Sequence, residues 1–191
     1  GALGCKVLLP SGKLDPACKR SFPTPLNGLY HSLNLDTAFP ESTRFGAYNL
    51  TYVDENKTCS IDCIMGAFML VPRVVIDQVG MLDEDFFMYG EDIDLSYRIT
   101  KAGYKNCYLP FPIIHYKGES TKKDSIKYVR VFYEAMMIFF RKHYPHYSIF
   151  FAFVVKSGIY LLALLAVLKR ISLKLFSYTG KKAISTELCF L

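Results

Sequence analysis

The chain has 191 residues, 51% hydrophobic and 15% aromatic, enough apolar material for one domain with a core and too much for a generally disordered chain. Its net charge of +6 is uneven: residues 1–121 hold 11 basic and 14 acidic side chains, and residues 122–191 hold 12 basic and 3 acidic. An acidic body followed by a basic, apolar tail is a poor profile for a nucleic-acid binder and suits an anionic membrane surface.

In chain order, residues 1–60 are punctuated by Pro, Gly, Ser and Asn. Gly1 to Leu9 reads as the end of a strand, and the absence of an initiator Met points to an N-terminal part outside these residues. Leu8 to Lys13 reads as a turn between two short strands. Leu26 to Leu35 reads as a short helix ending near Asp36 to Pro40, and Arg44 to Val53 as a loop or edge strand. The apolar run 61–71 has the length of a buried strand, with Gly66 marking a close backbone approach and Pro72 ending it.

Arg73 to Val79 reads as a helix stopped at Gly80. Met81 to Tyr89 is a loop, and Glu91 to Ala102 a helix with Leu95, Ile99 and Ala102 on one side. Gly103 fits its C′ position, and Asp94 and Arg98 stand at i,i+4. Tyr104 to Leu109 and Ile113 to Tyr116 are two strand candidates, so the body is α/β. Asp124 to His143 fits an amphipathic helix. Ser148 to Leu168 is nearly all apolar, broken by Lys156, Ser157 and Gly158 and followed by Lys169, Arg170 and Lys174.

Six cysteines (Cys5, Cys18, Cys59, Cys63, Cys107 and Cys189) form no Cys-x-x-Cys pair. Cys59 and Cys63 lack the second Cys/His pair that a structural zinc site needs. With no signal-peptide pattern, they read as reduced thiols of a cytoplasmic protein.

The densest chemistry lies between Asp83 and Asp94: six carboxylates (Asp83, Glu84, Asp85, Glu91, Asp92, Asp94) and no basic residue. Like charges so close disfavour one another unless something offsets them. The positive end of the helix starting near Glu91 is one offset, a metal ion or a hydroxyl-bearing ligand another, and a solvated acidic surface is the plain alternative. Phe86 and Phe87 are expected to bury the loop base, so that a carboxylate there can act as a general base. His115 follows a short apolar run, where a lone histidine is more often structural than a ligand. Lys117 and the backbone at Gly118 could meet phosphate oxygens, a weak signal from spacing alone.

The stretch Leu82-Asp-Glu-Asp-Phe-Phe-Met-Tyr-Gly-Glu-Asp-Ile-Asp-Leu-Ser-Tyr-Arg98 resembles family 2 glycosyltransferases, most of all rhamnosyltransferase-like members from bacterial cell-surface polysaccharide pathways. Gly66-Ala-Phe-Met-Leu-Val71 with Arg73, Ala102-Gly-Tyr104, and Ile114-His-Tyr-Lys-Gly-Glu-Ser-Thr121 agree with the family in order and spacing, over roughly residues 1–145. The resemblance implies a GT-A fold, here an α/β part lacking the N-terminal nucleotide-binding half, plus C-terminal helices. It implies inverting transfer of a sugar from a nucleotide-diphosphate donor to a hydroxyl. Asp92 then matches the catalytic base, Glu91, Gly66 and Ala67 the acceptor site, His115 a metal ligand or diphosphate contact, and Lys117 a diphosphate contact. A divalent cation, Mg²⁺ or Mn²⁺, would neutralise the leaving group. Without the donor half, this polypeptide alone is expected to be inactive.

The expected organisation is an acceptor-side catalytic part at 1–121, an amphipathic helix at 122–147, a hydrophobic membrane-associated segment at 148–176 and a tail at 177–191. The 21 residues 148–168 are long enough to span a bilayer, but Lys156 also allows a helix lying in the interface. The expected partners are a nucleotide-sugar donor, a glycan or lipid-linked acceptor and the cytoplasmic membrane, with no nucleic acid. The expected location is the cytoplasmic face of the cell inner membrane. The competing function is a membrane-associated binding or scaffold module without catalysis.

Overall fold

The computed structural model describes residues 1–116, 126–144 and scattered helical positions between 153 and 171. It opens on strand β1 (Ala2–Leu8), turns through residues 9–13 and returns to a bridge between Leu8 and Leu14, as the Pro-Ser-Gly sequence predicts. Helix α1 (Pro25–Ser32) starts on a capping box, in which Thr24 and Asn27 satisfy each other's backbone N–H groups and Pro25 occupies the first turn. A single turn, α2 (Leu35–Ala38), follows, and residues 44–53 form turns rather than a strand.

The expected strand over 61–71 is a correction. Only β2 (Cys59–Ile61) forms a strand, and the chain then leaves the ladder, returning at Leu70 to an antiparallel bridge with Leu3 of β1. The backbone N–H groups of Asp62 and Cys63 both donate to Arg20 O, and Phe68 N–H donates back to Met65 O in a turn. Apolar content alone therefore overstates this strand: Ile61, Cys63 and Ile64 are buried, while Phe68 and Leu70 are exposed.

Helices α3 (Arg73–Val79) and α4 (Glu91–Lys101) lie where their periodicity places them. Gly90 enters α4 at φ 86°, and a Cβ there would sit 3.0 Å from the Phe86 ring and 3.4 Å from Ala135, so glycine is required by both backbone and packing. Glu91, Asp92 and Asp94 fill the first turn and Arg98 and Lys101 the last, a charge order that complements the helix dipole. The two expected strands after α4 merge into one, β3 (Asn106–Ile114). Its register against β1 jumps from Cys5–Leu109 to Lys6–Pro112, leaving Pro110 and Phe111 as an irregularity. Pro110 and Pro112 are tolerated because β2 pairs only with residues 106–108, so beyond them that side of β3 makes no demand on N–H groups.

The sheet order is β1-β3-β2, with β1 and β3 parallel and β2 antiparallel to β3. One core joins it to α3 and α4 through Val7, Ile61, Ile64, Val75, Leu95, Ile99 and Tyr108. A second, formed by Phe86, Ala135 and Phe139 with Ile93 and Tyr97 around them, seats helix α5 (Ile126–His143) on α4. Phe86 is buried as expected. Phe87 is 78% exposed, so the expectation that both rings bury the loop is corrected.

Asp94 ties these pieces together. It is fully buried, and its carboxylate accepts from Arg98 Nε at 2.7 Å, His143 Nε2 at 2.6 Å and Lys142 Nζ at 2.8 Å. Arg98 also donates to the carbonyls of Val79, Gly80 and Met81, and Lys142 also pairs with Asp83. Burial by itself would raise the Asp94 carboxyl, but hydrogen bonds from His143, Lys142 and Arg98 outweigh it and hold the group well below the usual carboxylate range.

Among the described residues no helix is long and apolar enough to cross a membrane. Most of the segment 148–168, all of the tail 177–191 and residues 117–125 lie outside the described residues.

Two results follow from the Asp94 contacts. Asp94→Ala leaves three donors without their acceptor and is expected to lower unfolding free energy by about 3 kcal/mol in urea titration. Because the folded carboxyl titrates lower than the unfolded one, its stabilisation is complete above about pH 4 and is lost as pH falls below that. The parent's stability should thus fall more steeply than the variant's between about pH 4 and pH 2.

Candidate active site

The first turn of α4 faces the loop that follows β2. Ile64 N–H donates to Ser96 Oγ at 3.1 Å, and Gly66 N–H donates to Asp92 Oδ2 at 3.0 Å. The two bonds tie this loop to α4 one helical turn apart and hold the Asp92 carboxylate against the Gly66 amide. Asn106 fastens the same helix to the sheet, donating to Asp62 O at 2.7 Å and Ser96 O at 3.2 Å.

Asp92 has a second partner that sequence reading does not anticipate. Arg20 Nη2 lies 3.0 Å from Asp92 Oδ2, and the two side chains retain only 13% and 14% of their exposure, so this is not a solvated surface pair. The other carboxylate oxygen, Oδ1, accepts from Ile93 N–H at 2.8 Å. Burial works against the charge on Arg20, but the Asp92 carboxylate beside it keeps the guanidinium firmly protonated.

Glu91 is placed differently. Its Oε2 is buried and, among the described residues, has no hydrogen-bond partner. Burial pushes its carboxyl up, and the neighbouring Asp92 carboxylate adds to that. Glu91, Asp92 and Gly66 thus come together: a Cβ built on Gly66 would lie 3.5 Å from Asp92 Cβ and 3.9 Å from Glu91 Oε1. Ala67 is the next residue of the same turn and is exposed.

His115 sits just past β3, its backbone N–H bonded to Leu8 O at 2.9 Å, with ring Nδ1 buried and unpartnered among the described residues. No contact brings it to Asp92. Lys117 lies outside the described residues. Among the described residues no group of three or more His, Cys, Asp or Glu side chains gathers to hold a metal. Cys5, Cys18, Cys59, Cys63 and Cys107 are free thiols.

The arrangement suits proton transfer: a fixed carboxylate at a helix start, a neighbouring carboxyl with a buried oxygen unpartnered among the described residues, and an exposed glycine turn beside them. Arg20 could have been sought from charge counting, since six carboxylates without a local cation must find cations elsewhere. Nothing local singles it out, because it lies 72 residues from its partner.

A family model described as "Glycosyl transferase family group 2" matches residues 42–180. Among curated proteins the chain is 31% identical over 140 residues to an N-acetylglucosaminyl-diphospho-decaprenol L-rhamnosyltransferase of Mycobacterium tuberculosis, covering 73% of this chain and 45% of that protein. It is 44% identical over 57 residues to rhamnosyltransferase WbbL of Escherichia coli, covering 29% of this chain and 22% of that one. A low-salt glycan biosynthesis hexosyltransferase, Agl10, of Haloferax volcanii is 33% identical over 79 residues, 41% of this chain and 22% of its own. The chain spans less than half the length of each of these relatives. No solved structure matches it significantly.

The space beside Gly66 yields a stability prediction. A methyl group there meets only ordinary contacts, so Gly66→Ala should change unfolding free energy by no more than about 0.5 kcal/mol. A larger loss in thermal or urea unfolding would show that the fold itself, rather than an open site, requires this glycine.

Proposed function

The chain belongs to glycosyl transferase family group 2, and we propose that the protein moves a sugar from a nucleotide-diphosphate donor to a hydroxyl acceptor, with inversion, in cell-surface polysaccharide synthesis. The mixed α/β fold is consistent with part of a GT-A domain, and the sequence is rhamnosyltransferase-like. The observation that carries the proposal is the Asp92 carboxylate, pinned between the Gly66 amide and Arg20 at the start of a packed helix, with the Glu91 carboxyl beside it.

In this reading Asp92 is the general base. As the acceptor oxygen bonds to the anomeric carbon, its proton passes to Asp92, and the bond from that carbon to the diphosphate breaks, with the electron pair leaving on the nucleotide diphosphate. One displacement of this kind inverts the centre. Glu91, whose buried Oε2 has no partner among the described residues, orients the acceptor, and the Gly66–Ala67 turn forms the floor beside it. Lys117 is proposed to contact the diphosphate. Mg²⁺ or Mn²⁺, when bound, would neutralise charge on the leaving group. His115, whose buried Nδ1 has no partner among the described residues, would offer that nitrogen to such an ion, and among the described residues no group of three or more ligating side chains gathers.

Membrane association at the cytoplasmic face of the inner membrane, with a lipid-linked or glycan acceptor, belongs to the same proposal. It is supported by the exposed apolar side chains of Phe153, Tyr160, Leu161, Leu164, Leu165 and Leu168 and by the basic residues around them.

The test is transfer by the full-length protein from a panel of nucleotide sugars with Mg²⁺ or Mn²⁺, beside Asp92→Asn. Loss of about a hundredfold or more in the variant, with donor binding kept, is the expected result. A variant that transfers as well as the parent would make the carboxylates structural and favour a non-catalytic binding module. Separately, the full-length protein should sediment with membranes and need detergent for release; recovery in the detergent-free supernatant would overturn the membrane assignment.

A further inference from the structure

Arg20 is the only cation that touches the Asp92 carboxylate among the described residues. Its backbone is fixed by the bonds from Asp62 and Cys63 to its carbonyl and by an antiparallel bridge to Cys63. Its side chain reaches Asp92 with one nitrogen, Nη2, while Nε is buried and without a partner among the described residues. The Tyr48 hydroxyl lies near the same guanidinium.

The single contact matters. A guanidinium commonly meets a carboxylate as a fork and consumes both oxygens. Here Arg20 and the Gly66 amide both donate to Oδ2, each at 3.0 Å, and among the described residues Oδ1 receives only Ile93 N–H, at 2.8 Å. A carboxylate oxygen has two lone-pair directions. Both on Oδ2 are therefore occupied, and one on Oδ1 remains open.

We propose that Arg20 is a positioning residue: with the Gly66 amide it locks Asp92 Oδ2, so that Oδ1 is the oxygen that receives the acceptor proton. The inference rests on Asp92 being the base. The O–H bond of the acceptor breaks, a new O–H bond forms at Oδ1, and Arg20 neither gains nor loses a proton. Its work is geometric, keeping the carboxylate from rotating about its Cβ–Cγ bond when the proton arrives.

The experiment compares Arg20→Ala, Arg20→Lys and Asp92→Asn in the full-length protein. A base out of alignment costs on the order of a hundredfold, so both Arg20 variants should lose about that much in kcat while donor KM stays at the parental value. Added guanidinium ion, below denaturing concentration, should restore part of the kcat of Arg20→Ala, and an equal concentration of sodium chloride should not. In an Asp92→Asn background, Arg20→Ala should cause no further loss, because both act through the same carboxylate. Should Arg20→Ala fail to fold, Arg20→Lys decides the matter: low kcat at the parental melting temperature supports positioning. Parental kcat in the Arg20 variants beside an inactive Asp92→Asn would overturn positioning and leave the base assignment standing, as would a loss that falls on donor KM rather than kcat. Full activity in Asp92→Asn would instead remove the reading on which the inference rests.

Discussion

The site depends on two hydrogen bonds that tie the loop after β2 to α4. Ile64 N–H reaches Ser96 Oγ and Gly66 N–H reaches Asp92 Oδ2, one helical turn apart on α4. Two backbone amides outside the sheet are thus satisfied by two side chains at once. An additional residue in either piece would leave an amide unpaired and swing the carboxylate away. The shortness of β2 is part of the same arrangement: a strand continuing through residue 66 would have committed these amides to the sheet ladder.

The other face of α4 is held by borrowed charge. Asp94 lies two positions beyond Asp92 and so projects to a different side of the helix, where it meets Arg98 from the same helix and Lys142 and His143 from α5. Burying one carboxylate among three cationic or potentially cationic donors is costly to disrupt and specifies one docking of α5. The aromatic packing of Tyr97 against Phe22, Phe139 and His143 runs alongside it, with ring centroids 5.0, 5.6 and 4.3 Å apart. The catalytic candidate and the helix leading to the apolar tail are thus mounted on opposite sides of one 11-residue helix.

Local order was readable from the sequence. The helices at 73–79 and 91–101, their glycine stops and the Asp94–Arg98 pair follow from periodicity and capping, which are properties of neighbouring residues. The family resemblance of the Gly-Glu-Asp stretch was readable too, and the matching family model agrees with it. What could not be read depends on distant pairing. The strand over 61–71 failed because the amides of Asp62, Cys63, Ile64 and Gly66 are claimed by Arg20, Ser96 and Asp92, and the two short strands after α4 fused because β1 supplies a partner across the proline irregularity. The carboxylate cluster looked uncompensated only because Arg20, Lys142 and His143 come from the two ends of the chain.

The compensation is unequal in a way that matters for chemistry. Of the two adjacent carboxyls, Asp92 has a cation and two backbone donors, whereas Glu91 has a buried oxygen with no partner among the described residues. Neighbouring acids in such different surroundings are suited to different tasks. The first is an acceptor whose geometry is set from three directions. The second is a carboxyl pushed up by burial and by the Asp92 carboxylate beside it. An acceptor hydroxyl that loses its proton in one step needs both: a hydrogen-bond donor or acceptor to orient it and a separate base to receive the proton. In the proposed reading the first turn of α4 supplies the two groups at consecutive positions, where a helix directs neighbouring side chains about 100° apart, beside the exposed turn at Gly66.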